Sequence, residues 1–361
     1  MTEHHVSALG GGNDAAERYE SYENMFDPPS REERAWREGR DLRWQAAERR
    51  RAAARPAQEV ESNKALAIAM EGLEGGFHPT YRPSRFEEGW LLDSLRSFYE
   101  DGLLSDVLAL VKGGKEANVY RCAAQPTTGL DLVAAKVYRP RMFRNLRNDA
   151  LYRRGREILT EDGTPVKKTD DRVMRAIGKK TAFGQQVSHT SWLMHEYVTL
   201  RRLHEAGAAV PRPLGASENA ILMGYHGDER RAAPTLNTVS LSQAEAKRLF
   251  REVLRNVELM LKLGIVHGDL SAYNVLYWKG EIVIIDFPQM VDCIGNDQAR
   301  DILRRDLTRT CEYFSSQGVE CDAEALTGDL WGQHVGSMLR AQLADLSMRE
   351  YEREIETAEE V

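Results

Sequence analysis

The chain has 361 residues, 42% of them apolar and 29% charged, with 49 Lys+Arg against 56 Asp+Glu and a net charge of −7. That length predicts about two domains and a core that needs no disulfide or metal staple. A net negative chain is not a general nucleic-acid glue, although a local basic patch is compatible with it. No run of about 18 apolar residues occurs and residues 1–13 have no apolar core, so neither a transmembrane helix nor a secretory signal is expected. Cys122, Cys293, Cys311 and Cys321 lack paired metal-ligand spacing and fit a reduced, cytoplasmic protein.

Residues 1–30 are polar and Gly-rich. Residues 31–55 hold nine Arg and five Asp/Glu, with Trp36 and Trp44 near helical spacing, which reads as a solvated, partly helical arm. Residues 56–86 read as a linker broken by Gly75-Gly76, Pro79 and Pro83. Order is expected from Glu87, where Trp90, Leu91, Leu95, Phe98 and Tyr99 follow a helical period that stops at Gly102. Strands are predicted at 107–111, 118–123 and 131–138, an antiparallel meander. Residues 139–180 then carry thirteen basic and six acidic side chains, a local charge of +7, and read as an open loop. A helix is predicted at 191–206 and a short strand at 220–223. A longer helix is opened by the capping-box pair Ser242 and Glu245 and closed at Gly264. Lys279-Gly280 joins a hairpin of 275–278 with 281–286. A helix at 301–314 and an acidic end, with six Glu among residues 350–361, complete the chain.

The residues richest in chemistry lie between the long helix and that hairpin: His267-Gly268-Asp269, then Asn274, then Asp286 at the end of an apolar run. Asp and Asn offer hard oxygens that suit Mg²⁺ without closing its coordination shell. Phosphoryl transfer needs positioning, charge neutralisation and one carboxylate to orient the attacking hydroxyl. Asp269 fits that role, and Asn274 and Asp286 fit the metal role. A single Asp in such a place is most often a turn or cap residue; the whole H-x-D-x-x-x-x-N plus strand-end Asp is far more specific. Upstream, Lys136 sits among Ala134, Ala135 and Val137. Such a lysine either snorkels to solvent or turns inward to phosphates and pairs with a helical carboxylate, for which Glu196 is the candidate. The turn Lys112-Gly113-Gly114-Lys115-Glu116 is neither G-x-G-x-x-G nor a Walker loop, yet paired glycines can turn backbone N–H groups toward phosphate.

Residues 114–120, Gly-Lys-Glu-Ala-Asn-Val-Tyr, resemble the phosphate loop of the RIO family of atypical serine/threonine protein kinases. Lys136, Glu196, His267-Gly268-Asp269, Asn274 and Ile285-Asp286 follow in that family's order, over roughly residues 92–316. The resemblance implies an α+β fold, a small bilobal protein-kinase-like structure with a shortened C-terminal lobe. Asp286-Phe287-Pro288 lacks the glycine of ordinary kinases, as RIO proteins do. It implies Asp269 as catalytic base, and Asp286 as a metal ligand that can also become a phospho-aspartate. It implies ATP and Mg²⁺ as cofactors and an ATP site formed by Gly113, Gly114, Lys115, Lys136, Glu196 and Asn274. Met223 corresponds to the gatekeeper, and backbone groups near Tyr225 and His226 to the adenine-binding hinge. The branch without an N-terminal winged helix is nearer, because the charged arm takes that place.

The expected organisation is an arm at 1–86, an N-terminal lobe at 87–226 with a basic insert at 139–190, a catalytic lobe at 227–330, and a C-terminal helix and acidic tail at 331–361. The expected function is an ATP- and Mg²⁺-dependent protein kinase with autophosphorylation. An ATPase switch in ribosome or RNP assembly working through a phospho-aspartate stays open. So does a small-molecule kinase of the aminoglycoside or choline type, because H-G-D-x-x-x-x-N occurs there too. A pseudokinase is disfavoured by the intact Lys136, Asp269, Asn274 and Asp286. The basic stretch 139–180 is the candidate contact for RNA or a ribosomal particle, and no membrane association is expected.

Overall fold

The structure, a computed structural model, describes residues 77, 79–83, 87–114, 116–138, 156–167, 170–179, 181–338 and 340. The chain divides into two units, Met1–Glu74 and Gly75–Val361, and every described residue belongs to the second. The Arg-rich arm, most of the basic stretch before Arg156, and the acidic tail therefore lie outside the described residues.

The N-terminal half is built on a five-stranded antiparallel sheet with strand order β1-β2-β3-β5-β4. Helix α1 (Glu88–Glu100) buries Leu91, Leu95 and Phe98 and ends at Gly102, whose φ of 66° suits a residue without Cβ. Strands β1 (Leu104–Gly113), β2 (Ala117–Ala124) and β3 (Leu132–Tyr138) form the expected meander. Residues placed in the linker by sequence already take part in it. Tyr81 N–H donates to Val107 O at 2.7 Å, Thr80 N–H to Asp106 Oδ1 at 2.7 Å, and Phe77 is buried.

The insert is also more ordered than its charge predicts. Residues 158–166 turn back on themselves through Val166 N–H to Ile158 O (2.7 Å) and Thr160 N–H to Thr164 O (2.9 Å). Helix α2 (Asp171–Gly178) follows, capped by the Asp170 carboxylate. Helix α3 (Ala182–Glu205) starts well before the predicted 191. The hairpin lies on α3: Leu159 is buried, its N–H meets Ser191 Oγ at 3.0 Å, and His195 Nε2 donates to Glu157 O at 2.6 Å.

Strands β4 (Pro213–Ala216) and β5 (Ala220–Gly224) complete the sheet. The C-terminal half centres on α4 (Gln243–Lys262), whose Leu249, Val253, Val257 and Leu261 face the core at helical spacing. Ser242 caps it by accepting Glu245 N–H at 3.3 Å. The other half of the expected capping box is not made, because Glu245 Oε1 instead accepts the Tyr277 hydroxyl at 2.5 Å. Strand β6 (Ile265–Val266) pairs with β9 (Val291–Asp292). Strands β7 (Val275–Trp278) and β8 (Glu281–Ile284) form the predicted hairpin, turning at Lys279 (φ 50°) and Gly280 (φ 89°). Helices α5 (Ala299–Ser316) and α6 (Ala323–Leu330) close the fold. Buried Asn256 of α4 accepts Ala209 N–H at 2.6 Å, and Ile284 N–H donates to Ala209 O at 2.7 Å, which ties the chain after α3 to α4 and β8. No described helix is long and apolar enough to cross a membrane.

Burial pushes the His195 imidazole from 6.5 down to about 4, so the folded chain holds this ring neutral where the unfolded chain binds a proton. Its contribution to stability is complete above pH 6.5 and is lost as pH falls toward about 4. Thermal melts of His195→Gln, which keeps an N–H donor, should show a smaller loss of Tm across that window than the parent chain; an equal loss would count against the assignment.

Candidate active site

Lys136 does not snorkel outward. Its strand neighbours Ala135 and Val137 are fully buried, and Lys136 pairs in register with Val119 on one side and Ile221 on the other. The ammonium lies 2.6 Å from Glu196 Oε1 on α3 and 2.5 Å from Asp286 Oδ1 beyond β8. Glu196 Oε2 also accepts the hydroxyl of Tyr138, two residues along the same face of β3. Trp192 meets the Tyr138 ring edge-on at 4.9 Å and holds it in place. Exposure rises along the triad, from 4% for the Glu196 side chain through 12% for Lys136 to 41% for Asp286, so the uncompensated negative charge sits at the open end. Burial alone would lower the lysine pKa, but the Asp286 and Glu196 carboxylates outweigh it and raise the ammonium well above its usual range. Burial would likewise raise Asp286, and the Lys136 charge reverses this and holds it below the ordinary carboxylate value.

The loop 267–269 is gripped from α5. Gly268 N–H donates to Asp306 Oδ2 at 2.8 Å, and Arg305 donates to Gly268 O. Burial raises the Asp306 pKa even against the neighbouring Arg305 charge. Gly268 has φ 83°, and a Cβ there would lie 2.1 Å from Gln289 O, so only glycine lets the loop pass this close to the backbone that follows Asp286. His267 is buried, donates Nε2–H to Ile285 O at 3.2 Å and accepts Asp269 N–H on Nδ1 at 3.2 Å. Those partners fix a neutral tautomer, in accord with burial pushing its pKa down. Asp269 Oδ2 accepts Asn274 Nδ2 at 3.0 Å, and Oδ1 accepts Arg309 Nη1 of α5 at 2.9 Å.

Asp286 takes φ 74°, a left-handed conformation that costs a non-glycine residue about 1 kcal/mol but that Asp and Asn tolerate best. Its loop is held by Phe287 packing on the His267 ring at 4.7 Å and by Ile285 N–H to Asn274 O at 2.9 Å. Arg156, from the docked insert, donates to the carbonyls of Pro288 (3.0 Å) and Met290.

At the β1–β2 turn a Cβ on Gly114 would meet Ala117 O at 2.7 Å. Gly114 N–H points to Asn118 Oδ1 at 3.4 Å, and the Asn118 amide donates to Tyr120 OH at 2.9 Å and Glu87 Oε1 at 3.4 Å, a buried polar base beneath the turn. The positive charge of neighbouring Lys112 acts on Asp286. Met223 pairs with Ala134 across the sheet, and Tyr225 and His226 follow the end of β5; the His226 carbonyl accepts Ala233 N–H at 2.9 Å.

Of the residues singled out by sequence, the structure therefore joins Lys136, Glu196 and Asp286 in one ion triad and Asp269 to Asn274 by a hydrogen bond. Gly113 and Gly114 lie at the neighbouring turn, Met223 lies in β5 between β3 and β4, and Tyr225 and His226 follow the end of that strand. Lys115 falls outside the described residues. Sequence reasoning missed Tyr138, Arg156, Arg305, Asp306 and Arg309. Only Tyr138 carried a signal, its i+2 position from the strand lysine. Among the described residues no cluster of three or more His, Cys, Asp or Glu is arranged to hold a metal. An Asn carbonyl and a half-open Asp carboxylate are a sparse hard-oxygen set of the kind that suits Mg²⁺.

Comparison with known proteins gives a match of residues 151–326 to the RIO domain. The RIO-type serine/threonine-protein kinase Rio1 of Haloferax volcanii is 31% identical over 64% of this chain and 72% of its own length. The serine/threonine-protein kinase RIO1 of Chaetomium thermophilum is 30% identical over 60% of this chain, which spans 41% of that protein. Among solved structures, the Rio2 kinase of Chaetomium thermophilum in its ADP/Mg²⁺-phosphoaspartate complex aligns over 74% of each chain at 18% identity, with a TM-score of 0.45.

Gly268→Ala should cost at least about 2 kcal/mol, because a left-handed residue and a contact under 3 Å with fixed backbone are imposed together. Denaturant unfolding checks this, and a variant as stable as the parent would mean that the loop sits elsewhere.

Proposed function

This chain belongs to the RIO family, and on that premise we propose that it is an ATP- and Mg²⁺-dependent serine/threonine protein kinase of RIO type that also phosphorylates itself. The observation that carries this reading is the Lys136 bridge between Glu196 and Asp286, set beside the hydrogen-bonded pair Asp269–Asn274. When bound, Mg-ATP supplies the phosphoryl group and the charge that neutralises it. Lys136, oriented by Glu196, would hold phosphate oxygens beside the Gly113-Gly114 turn, where the lack of a Cβ lets phosphate approach the backbone. Asn274 donates its amide nitrogen to Asp269, which leaves its carbonyl oxygen free of that bond, and that oxygen with the Asp286 carboxylate would hold the metal. Asp269 meets the acceptor hydroxyl and takes up its proton. The strand end at Met223 and the backbone of Tyr225 and His226 hold adenine; the His226 carbonyl is already engaged, so its neighbours' backbone groups carry more of that task. Family membership leaves the small-molecule reading without support.

A second reading, an ATPase switch that phosphorylates Asp286, is favoured by one contrast. The Asp286 side chain is 41% exposed against 14% for Asp269, and a carboxylate acceptor needs no proton removed. The contact with RNA or a ribosomal particle is likewise a proposal: α2 places exposed Arg172, Arg175 and Lys179 on the surface of the insert.

Labelling with radioactive ATP should be abolished in Asp269→Asn and in Lys136→Met, and full labelling of both would end the kinase assignment. Label on the parent chain that hydroxylamine removes and Asp286→Asn lacks would make the phospho-aspartate the output. Replacing Arg172, Arg175 and Lys179 by Glu together should weaken RNA binding and flatten its salt dependence; unchanged affinity would remove the insert from the RNA contact.

A further inference from the structure

Three side chains of α5 reach the loop that carries Asp269, and they do different things. Arg305 and Asp306 hold the carbonyl and the N–H of Gly268 and thereby fix backbone. Arg309, one turn further along the same face, passes the backbone and ends on the reacting carboxylate, with Nη1 2.9 Å from Asp269 Oδ1. Asn274 holds the other oxygen at 3.0 Å. With a donor on each oxygen, the plane of the carboxylate is set and not merely its position.

Stability alone is a poor reason for this arginine. Its side chain is 5% exposed, and burying a guanidinium carries a desolvation cost that buried ion pairing often fails to repay relative to well-packed apolar side chains, even with the charge of Asp306 close by. A buried cation aimed at the one carboxylate that must meet the acceptor is accounted for better by what it does to that carboxylate.

We propose that Arg309 is a positioning residue for phosphoryl transfer, locking Asp269 in the orientation that receives the acceptor hydroxyl. The proposal rests on the kinase reading, in which Asp269 has that role. Arg309 sits on the Asp269 side of the site, so its effect falls on kcat and not on nucleotide binding. A misplacement of about 1 Å in such a group costs roughly 100-fold in rate.

The test uses the full-length chain and measures kcat and KM for ATP in autophosphorylation for Arg309→Ala and Arg309→Met. Both should lose about 10- to 100-fold in kcat with KM for ATP within about twofold of the parent. Millimolar guanidinium, far below denaturing concentrations, should restore part of the activity of Arg309→Ala and none of that of Arg309→Met, whose side chain fills the space. If Arg309→Ala fails to fold, the kcat-against-KM split of Arg309→Met decides. Parent-level kcat in both variants, a change confined to KM, or equal stimulation of both by guanidinium would overturn the proposal while leaving the kinase reading standing. An inactive parent chain, or an active Asp269→Asn, would instead bring down the kinase reading itself.

Discussion

A single ammonium group joins the sheet, helix α3 and the loop after β8. Lys136 stands between two carboxylates, so the triad carries one cation for two anions, and the surplus charge lies at Asp286, where the site opens. Glu196 is saturated from the same strand by Lys136 and the Tyr138 hydroxyl. Its orientation is therefore a property of β3 and α3 together, and the lysine is left directed at Asp286. Removing Lys136 would leave two carboxylates without their cation, whereas removing either carboxylate leaves a matched pair. The rotation of α3 against the sheet and the placement of Asp286 accordingly depend on each other through this one nitrogen.

Two further supports work from outside the triad. Helix α5 holds the loop 267–269 by its backbone through Arg305 and Asp306. The docked hairpin of the insert holds the loop 286–290 through Arg156. The sheet thus sets the Lys136 side of the site, and α5 sets the Asp269 side. The two sides meet at Gly268 and Gln289, where the absence of a side chain allows the two loops to touch.

Much of this was legible in the sequence because the signals are local. The apolar period of α1 and α4, the Lys279-Gly280 turn and the strand lysine each declare themselves within a few residues. Other elements were not legible for equally physical reasons. Strand β4 contains Pro213 and Gly215, both poor strand formers, and is held at the sheet edge by pairing with β5 alone. Strands β6 and β9 are two residues long. Helix α2 is eight residues long inside a strongly charged stretch, and its apolar residues Val173, Ala176 and Ile177 are only half-buried, so its short period is masked by the charge around it. Its C-terminal turn rests against α3 at Gly184, where a Cβ would lie 2.1 Å from Ala176 O. Glu245 read as half of a capping box because the sequence does not say that Tyr277, across the fold, competes for it. Nothing local in the sequence singles out Arg309 or Arg156. Their partners lie 40 and more than 130 residues away, and only the folded chain brings them together.

The left-handed backbone at Asp286 bears on how this protein can change over generations. Glycine, asparagine and aspartate are the residues most at ease at φ 74°. Aspartate and asparagine codons differ by one base. One mutation can therefore remove the charge to which the proposed chemistry is assigned while leaving the backbone at rest. A lineage of this fold has a short route to descendants that stay folded and keep their surfaces for binding long after they have stopped reacting.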